Sequence, residues 1–135
     1  LKSILFLCPE EYAEPNQKWL KKNGARLLQF GVLGNKEPFI LVDANIIRRA
    51  VRAVTDPANQ PVLIHCNKGK HRTGCLVGCL RKEQGWSLTS IFEEYRRYSF
   101  PKERFMDQQF IELFSNTSPP PSPRTEDEDK DEGAP

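Results

Sequence analysis

The chain lacks any run of apolar residues approaching the roughly 20 that a membrane-spanning helix requires. Its longest apolar start, Ile4 to Leu7, is followed by Pro9 and has neither a basic leader nor a small-residue cleavage site, so it reads as a core strand rather than a signal peptide. CxxC and HxxxH pairs are absent, which argues against a metal site built from Cys75, Cys79 and His71. Cys75 and Cys79 are instead expected as small buried hydrophobes on one helix. Unclustered cysteines without a secretory signal imply reduced thiols in a cytoplasmic protein, with a nuclear pool as the second location expected. There is no stripe of basic and aromatic residues, and nucleic acid is not the expected partner. No internal repeat occurs. The first residue is Leu1, not Met, and a predicted strand follows at once, so the chain is read as N-terminally truncated.

The 135 residues suffice for one core. A net charge of +2 conceals two unlike parts. Residues 116–135 run Ser-Pro-Pro-Pro-Ser-Pro and then acidic, with six carboxylates against Arg124 and Lys130, a charge of −4. That composition cannot form a core and predicts a disordered tail. Residues 1–115 therefore carry +6, and a basic body favours anionic partners.

Within that body, Lys2–Leu7 predicts a strand, Pro15–Asn23 a helix with Gly24 just past its end, and Ala25–Phe30 a second strand. From Asp43, a candidate N-cap, Ile46, Ile47, Ala50, Val51 and Val54 recur at helical spacing, with Arg48, Arg49 and Arg52 opposite. Pro61–Ile64 reads as a buried strand leading into His65-Cys66, followed by helices over Gly74–Lys82, Leu88–Tyr98 and Pro101–Phe114. This alternation predicts an α/β fold with a mainly parallel central sheet flanked by helices. Ligands of such sheets bind beyond the carboxyl ends of the strands, which is where Cys66 falls.

The run His65-Cys66-Asn67-Lys68-Gly69-Lys70-His71-Arg72-Thr73-Gly74 fits HCxxGxxR[ST]. A cysteine leaving a strand, a short loop containing Gly, then Arg and a helix bring backbone N–H groups onto one anion. It is not a Walker loop, because Cys75-Leu76 stands where Lys-Ser/Thr is required. Cations, amides and a helix N-terminus lower a thiol's pKa, so Cys66 is the candidate nucleophile. Arg72 offers a planar fork for two phosphoryl oxygens. Thr73 can donate to the sulfur, and His65 can orient the loop. Lys68, Lys70 and His71 form a cationic rim suited to a crowded polyanion, and neither metal nor organic cofactor is called for.

This motif resembles that of the cysteine-dependent protein tyrosine and dual-specificity phosphatases. The longer run HCNKGKHRTGCLVGCL, with KEPF at Lys36–Phe39, is similar to the atypical dual-specificity phosphatases of plants and fungi. The resemblance implies the dual-specificity phosphatase fold over residues 1–115. It also implies hydrolysis of inositol pyrophosphates through a phosphocysteine, with Cys66 as nucleophile and Arg72 as phosphate clamp. Asn67, Lys68, Gly69, Lys70, His71 and Arg72 would line the loop, and Lys36 would assist substrate binding.

Family members place an Asp on a loop upstream of the cysteine strand as general acid. Three alternatives stay open here: Asp43, Glu37, or no dedicated acid. The last is chemically tolerable, since a tyrosine phenol has a pKa of about 10 whereas a departing phosphate has a second pKa of about 6. The sequence thus leans toward phosphoanhydride cleavage. A protein tyrosine or dual-specificity phosphatase and an inactive phosphate-binding fragment are the rival readings.

Overall fold

The computed structural model describes residues 1–33 and 42–115. The Gly31–Pro38 loop lies mostly outside that range, as do Lys36, Glu37 and the tail from residue 116. Three short strands, β1 (Ser3–Phe6), β2 (Arg26–Gln29) and β3 (Val62–His65), form one parallel sheet in the order β2-β1-β3. Strand β1 is central and buried along its whole length, pairing Phe6 with Gln29 on one side and with His65 on the other. The parallel register brings the ends of all three strands to one edge: Leu7 N–H donates to His65 O (3.1 Å) and Val32 N–H to Leu7 O (2.9 Å).

Helix α1 (Glu14–Asn23) joins β1 to β2 and ends at Gly24, whose φ of +62° is the left-handed cap that glycine adopts without strain. Helix α2 (Ala44–Thr55) connects β2 to β3 and buries Ile47, Ala50, Val51 and Val54 of the stripe expected from its spacing, with Ile46 half-buried at its edge. Right-handed crossovers leading to opposite sides of β1 set α1 and α2 on opposite faces of the sheet. Beyond β3 come α3 (Arg72–Glu83), α4 (Leu88–Ser99) and α5 (Phe105–Leu113). Cys75 and Cys79 are fully buried on α3, and burial pushes both thiols up, away from reactivity. Gly78 lets α5 approach α3 closely, since a Cβ there would lie 2.4 Å from Ile111 Cδ1.

Three expectations need correction. Strand β3 is not buried on both faces: Leu63 is 48% exposed, because β3 is an edge strand with β1 as its only sheet neighbour among the described residues. Helix α3 starts at Arg72 rather than Gly74, which brings Arg72 and Thr73 into its first turn. Helix α5 starts at Phe105 rather than Pro101. The shift has a local cause: buried Tyr95 donates its hydroxyl to Asp107 Oδ2 (2.5 Å) and accepts the Arg104 N–H (3.0 Å), holding Pro101–Arg104 as a turn.

Candidate active site

The loop from Cys66 to Arg72 leaves the end of β3 and closes onto the first turn of α3. Gly69, at φ +68°, makes the left-handed bend that other residues rarely adopt. That bend turns its N–H toward the Cys66 sulfur at 3.3 Å. The Thr73 hydroxyl donates to the same Sγ at 2.9 Å. Cys66 is buried, which by itself disfavours a thiolate. Hydrogen bonds from the Thr73 side chain and from the backbone of Thr73, Gly69 and Lys68 outweigh that burial and lower its pKa below the ordinary thiol value. Cys8, at the end of β1, goes the other way: burial raises its pKa despite the nearby Arg72.

His65 braces the loop from beneath. Its Nδ1 lies 3.3 Å from Cys66 O and its Nε2 2.9 Å from Tyr12 Oη. A carbonyl oxygen only accepts, so Nδ1 carries the proton and Nε2 accepts from the tyrosine hydroxyl. The ring packs against both Phe6 and Tyr12, at centroid separations of 5.0 and 5.6 Å, and those two rings lie 4.8 Å apart. His71 ties the far end of the loop by donating from Nε2 to Lys102 O at 2.6 Å. Arg72 Nη1 donates to Val32 O at 3.3 Å, anchoring the guanidinium to the chain after β2.

Cys66 and Arg72 line a cavity of about 400 Å³ together with Asn67, Lys68, Lys70 and His71. The structure therefore brings together most of the residues singled out in the sequence, with Gly69 and Thr73 behind the sulfur. Asp43 is placed elsewhere. Its Oδ1 accepts the Asn45 N–H at 2.8 Å as the N-cap of α2, and it is not among the residues lining the cavity. Lys36 and Glu37 lie outside the described residues. Four further lining residues escaped the sequence reading: Pro9 and Glu10 after β1, Leu33 after β2, and Arg104 at the N-cap of α5. The first three are found through the parallel register, which carries the residues after β1 and β2 to the edge that holds Cys66. The last is hidden once Pro101 is taken as a helix start. Among the described residues no group of three or more His, Cys, Asp or Glu is placed to hold a metal ion, and no helix is long and apolar enough to cross a membrane.

Comparison with known proteins agrees with this geometry. The model of the tyrosine phosphatase family matches residues 1–131. Inositol diphosphatase SIW14 of Saccharomyces cerevisiae is 59% identical over 116 residues, covering 86% of this chain and 41% of that protein. Inositol diphosphatase DSP1 of Oryza sativa subsp. japonica is 57% identical over 118 residues, covering 87% of this chain and 53% of the relative. The chain thus spans about half the length of these curated relatives, or less. The crystal structure of the core catalytic domain of the PP-IP phosphatase SIW14 from S. cerevisiae, in complex with citrate, superposes with a TM-score of 0.81 at 55% identity. It covers 86% of this chain and 69% of that one. Loop, fold and sequence agree that this chain belongs to the tyrosine phosphatase family, alongside the atypical dual-specificity phosphatases of fungi and plants.

Proposed function

We propose that the chain is a cysteine-dependent phosphatase that hydrolyses the diphosphate group of inositol pyrophosphates. The observation that carries this is the Cys66 sulfur, which receives the Thr73 hydroxyl and the Gly69 amide at the floor of a cavity walled by Arg72, Lys68, Lys70 and His71. The thiolate attacks the terminal phosphorus, forming the S–P bond as the bridging P–O bond breaks, and its electron pair leaves with the inositol phosphate. Charge on the transferring group is spread over its equatorial oxygens, where the Arg72 fork and the loop amides stabilise it. Water then attacks the phosphocysteine, the S–P bond breaks, and the sulfur departs as the thiolate that Thr73 stabilises. A phosphate leaving group with a second pKa of about 6 departs without a donated proton, in keeping with an Asp43 committed to capping α2.

The names of the relatives, which describe inositol diphosphatases, support the substrate class. Phosphate release from a diphosphoinositol polyphosphate and from a phosphotyrosine peptide, at matched concentrations, tests it. The diphosphate is expected to be preferred by about tenfold or more in kcat/KM, the value of one charge-assisted hydrogen bond to the rim. Preference for the peptide overturns the substrate and leaves the chemistry.

Thr73 provides a separate check. Thr73→Val removes the hydroxyl bonded to the sulfur, so the Cys66 pKa rises. The acid limb of the kcat/KM profile is then expected to move upward by about one pH unit, as loss of a hydrogen bond to a charged group implies. Phosphocysteine also accumulates, because its leaving group is poorer. Thr73→Ser restores both. An unmoved acid limb means that the hydroxyl does not stabilise the thiolate.

A further inference from the structure

The catalytic scheme above makes no use of Arg104. It lines the same cavity as Cys66 and Arg72 but comes from a different part of the chain, the turn between α4 and α5. The other basic residues that line the cavity, Lys68, Lys70, His71 and Arg72, all belong to the loop after β3 and its junction with α3.

Two sets of contacts fix this turn to the phosphate loop. His71 Nε2 donates to Lys102 O at 2.6 Å, joining the loop to the turn directly. Arg104 N–H donates to Tyr95 Oη at 3.0 Å, and the Tyr95 hydroxyl donates to Asp107 Oδ2, a carboxylate with no solvent exposure. The Tyr95 ring rests on the first turn of α3: a Cβ on Gly74 would lie 2.8 Å from its Cδ1. Arg72 begins that same turn. The backbone of Arg104 is thereby referenced to the helix end that carries Arg72, which fixes where its side chain starts relative to the phosphate loop.

The two guanidinium groups do not duplicate each other. Arg72 and the loop amides account for the equatorial oxygens of the transferring phosphoryl group. A second planar fork on the wall matches a second phosphate, in the bidentate manner that lysine lacks. The loop after β1 brings acidic Glu10 to the cavity lining, while Arg104 and His71 mark the helical side. A polyanion is repelled at the first and attracted at the second, which fixes its orientation.

Resting on the phosphatase reading above, we propose that Arg104 determines specificity by binding a substrate phosphate other than the one transferred to Cys66, so that the cavity selects polyphosphorylated substrates over small monophosphates.

Steady-state kinetics of Arg104→Ala and Arg104→Lys on a diphosphoinositol polyphosphate and on an aryl monophosphate test this. The ratio of the two kcat/KM values is expected to fall by about tenfold in Arg104→Ala, chiefly through the KM of the polyphosphate, with partial recovery in Arg104→Lys. An unchanged ratio, or an equal loss on both substrates, overturns the assignment. Binding provides a readout independent of turnover. In a Cys66→Ser background, adding Arg104→Ala is expected to weaken inositol hexakisphosphate binding by about tenfold and that of inorganic phosphate by much less; equal weakening of both refutes the second subsite. Should Arg104→Ala lower the thermal midpoint, Arg104→Lys decides the same ratio in a folded protein. A wild type that turns over neither substrate defeats the phosphatase reading, while the binding comparison still judges Arg104 by itself.

Discussion

Replacing Cys66 with Ser is expected to lower phosphate release from a diphosphoinositol polyphosphate by about four to six orders of magnitude, the scale on which loss of a covalent nucleophile is felt. The Thr73 hydroxyl and the loop amides lower the pKa of a thiol below its ordinary value despite its burial. A serine hydroxyl starts so much higher that the same donors leave it protonated at neutral pH. The step that forms the covalent phosphoenzyme is therefore lost. Folding is not: serine is slightly smaller than cysteine, Arg72 and His65 keep their bonds to Val32 O, Tyr12 and the backbone, and the serine oxygen can accept from Thr73 in place of the sulfur. Removing a negative sulfur from a cavity lined by Lys68, Lys70 and Arg72 should leave the binding of a polyanion unchanged or tighter. Phosphate release and calorimetric binding, measured on one preparation, separate the two effects. Residual turnover within about a hundredfold of wild type shows that Cys66 is not the nucleophile.

What could be read from the sequence was whatever depends on neighbours along the chain. The phosphate loop is such a case, because a thiol, a Gly turn, an Arg fork and a helix N-terminus must follow one another to converge on one anion, and His65 to Thr73 do so within nine consecutive positions. The Asp43 cap and the buried stripe of α2 were legible for the same reason. Features set by distant partners were not. The exposure of Leu63 follows from how many strands flank β3, which its own residues do not record. The pairing of Tyr12 with His65 spans the whole interval from the end of β1 to the end of β3. Pro101 suits a helix start by local rules, yet the bonds of Tyr95 to Asp107 and to the Arg104 amide move that start to Phe105 and bring Arg104 to the cavity. The turn that misled the helix prediction is therefore also the one that concealed a cavity-lining cation.

Arg72→Lys keeps the charge and still is expected to lower kcat/KM by about a hundred- to a thousandfold, comparable with the loss of a preorganised donor from an oxyanion site. Lysine is a point charge on a flexible stem, and it cannot present two parallel N–H groups to two equatorial oxygens. It also forfeits the bond from Nη1 to Val32 O that holds the wild-type side chain against the segment after β2. Because the clamp tightens on charge that develops as the phosphoryl group transfers, most of the loss should fall on kcat rather than KM. The pH profile adds a discriminating feature. The groups that hold the Cys66 pKa down are the Thr73 hydroxyl and the amides of Thr73, Gly69 and Lys68. Arg72→Lys should thus slow turnover while leaving the acid limb in place, whereas Thr73→Val moves that limb. If Arg72→Lys shifts the limb upward by as much as Thr73→Val does, Arg72 acts on the nucleophile rather than on the transferring phosphate, and its role as the clamp is lost.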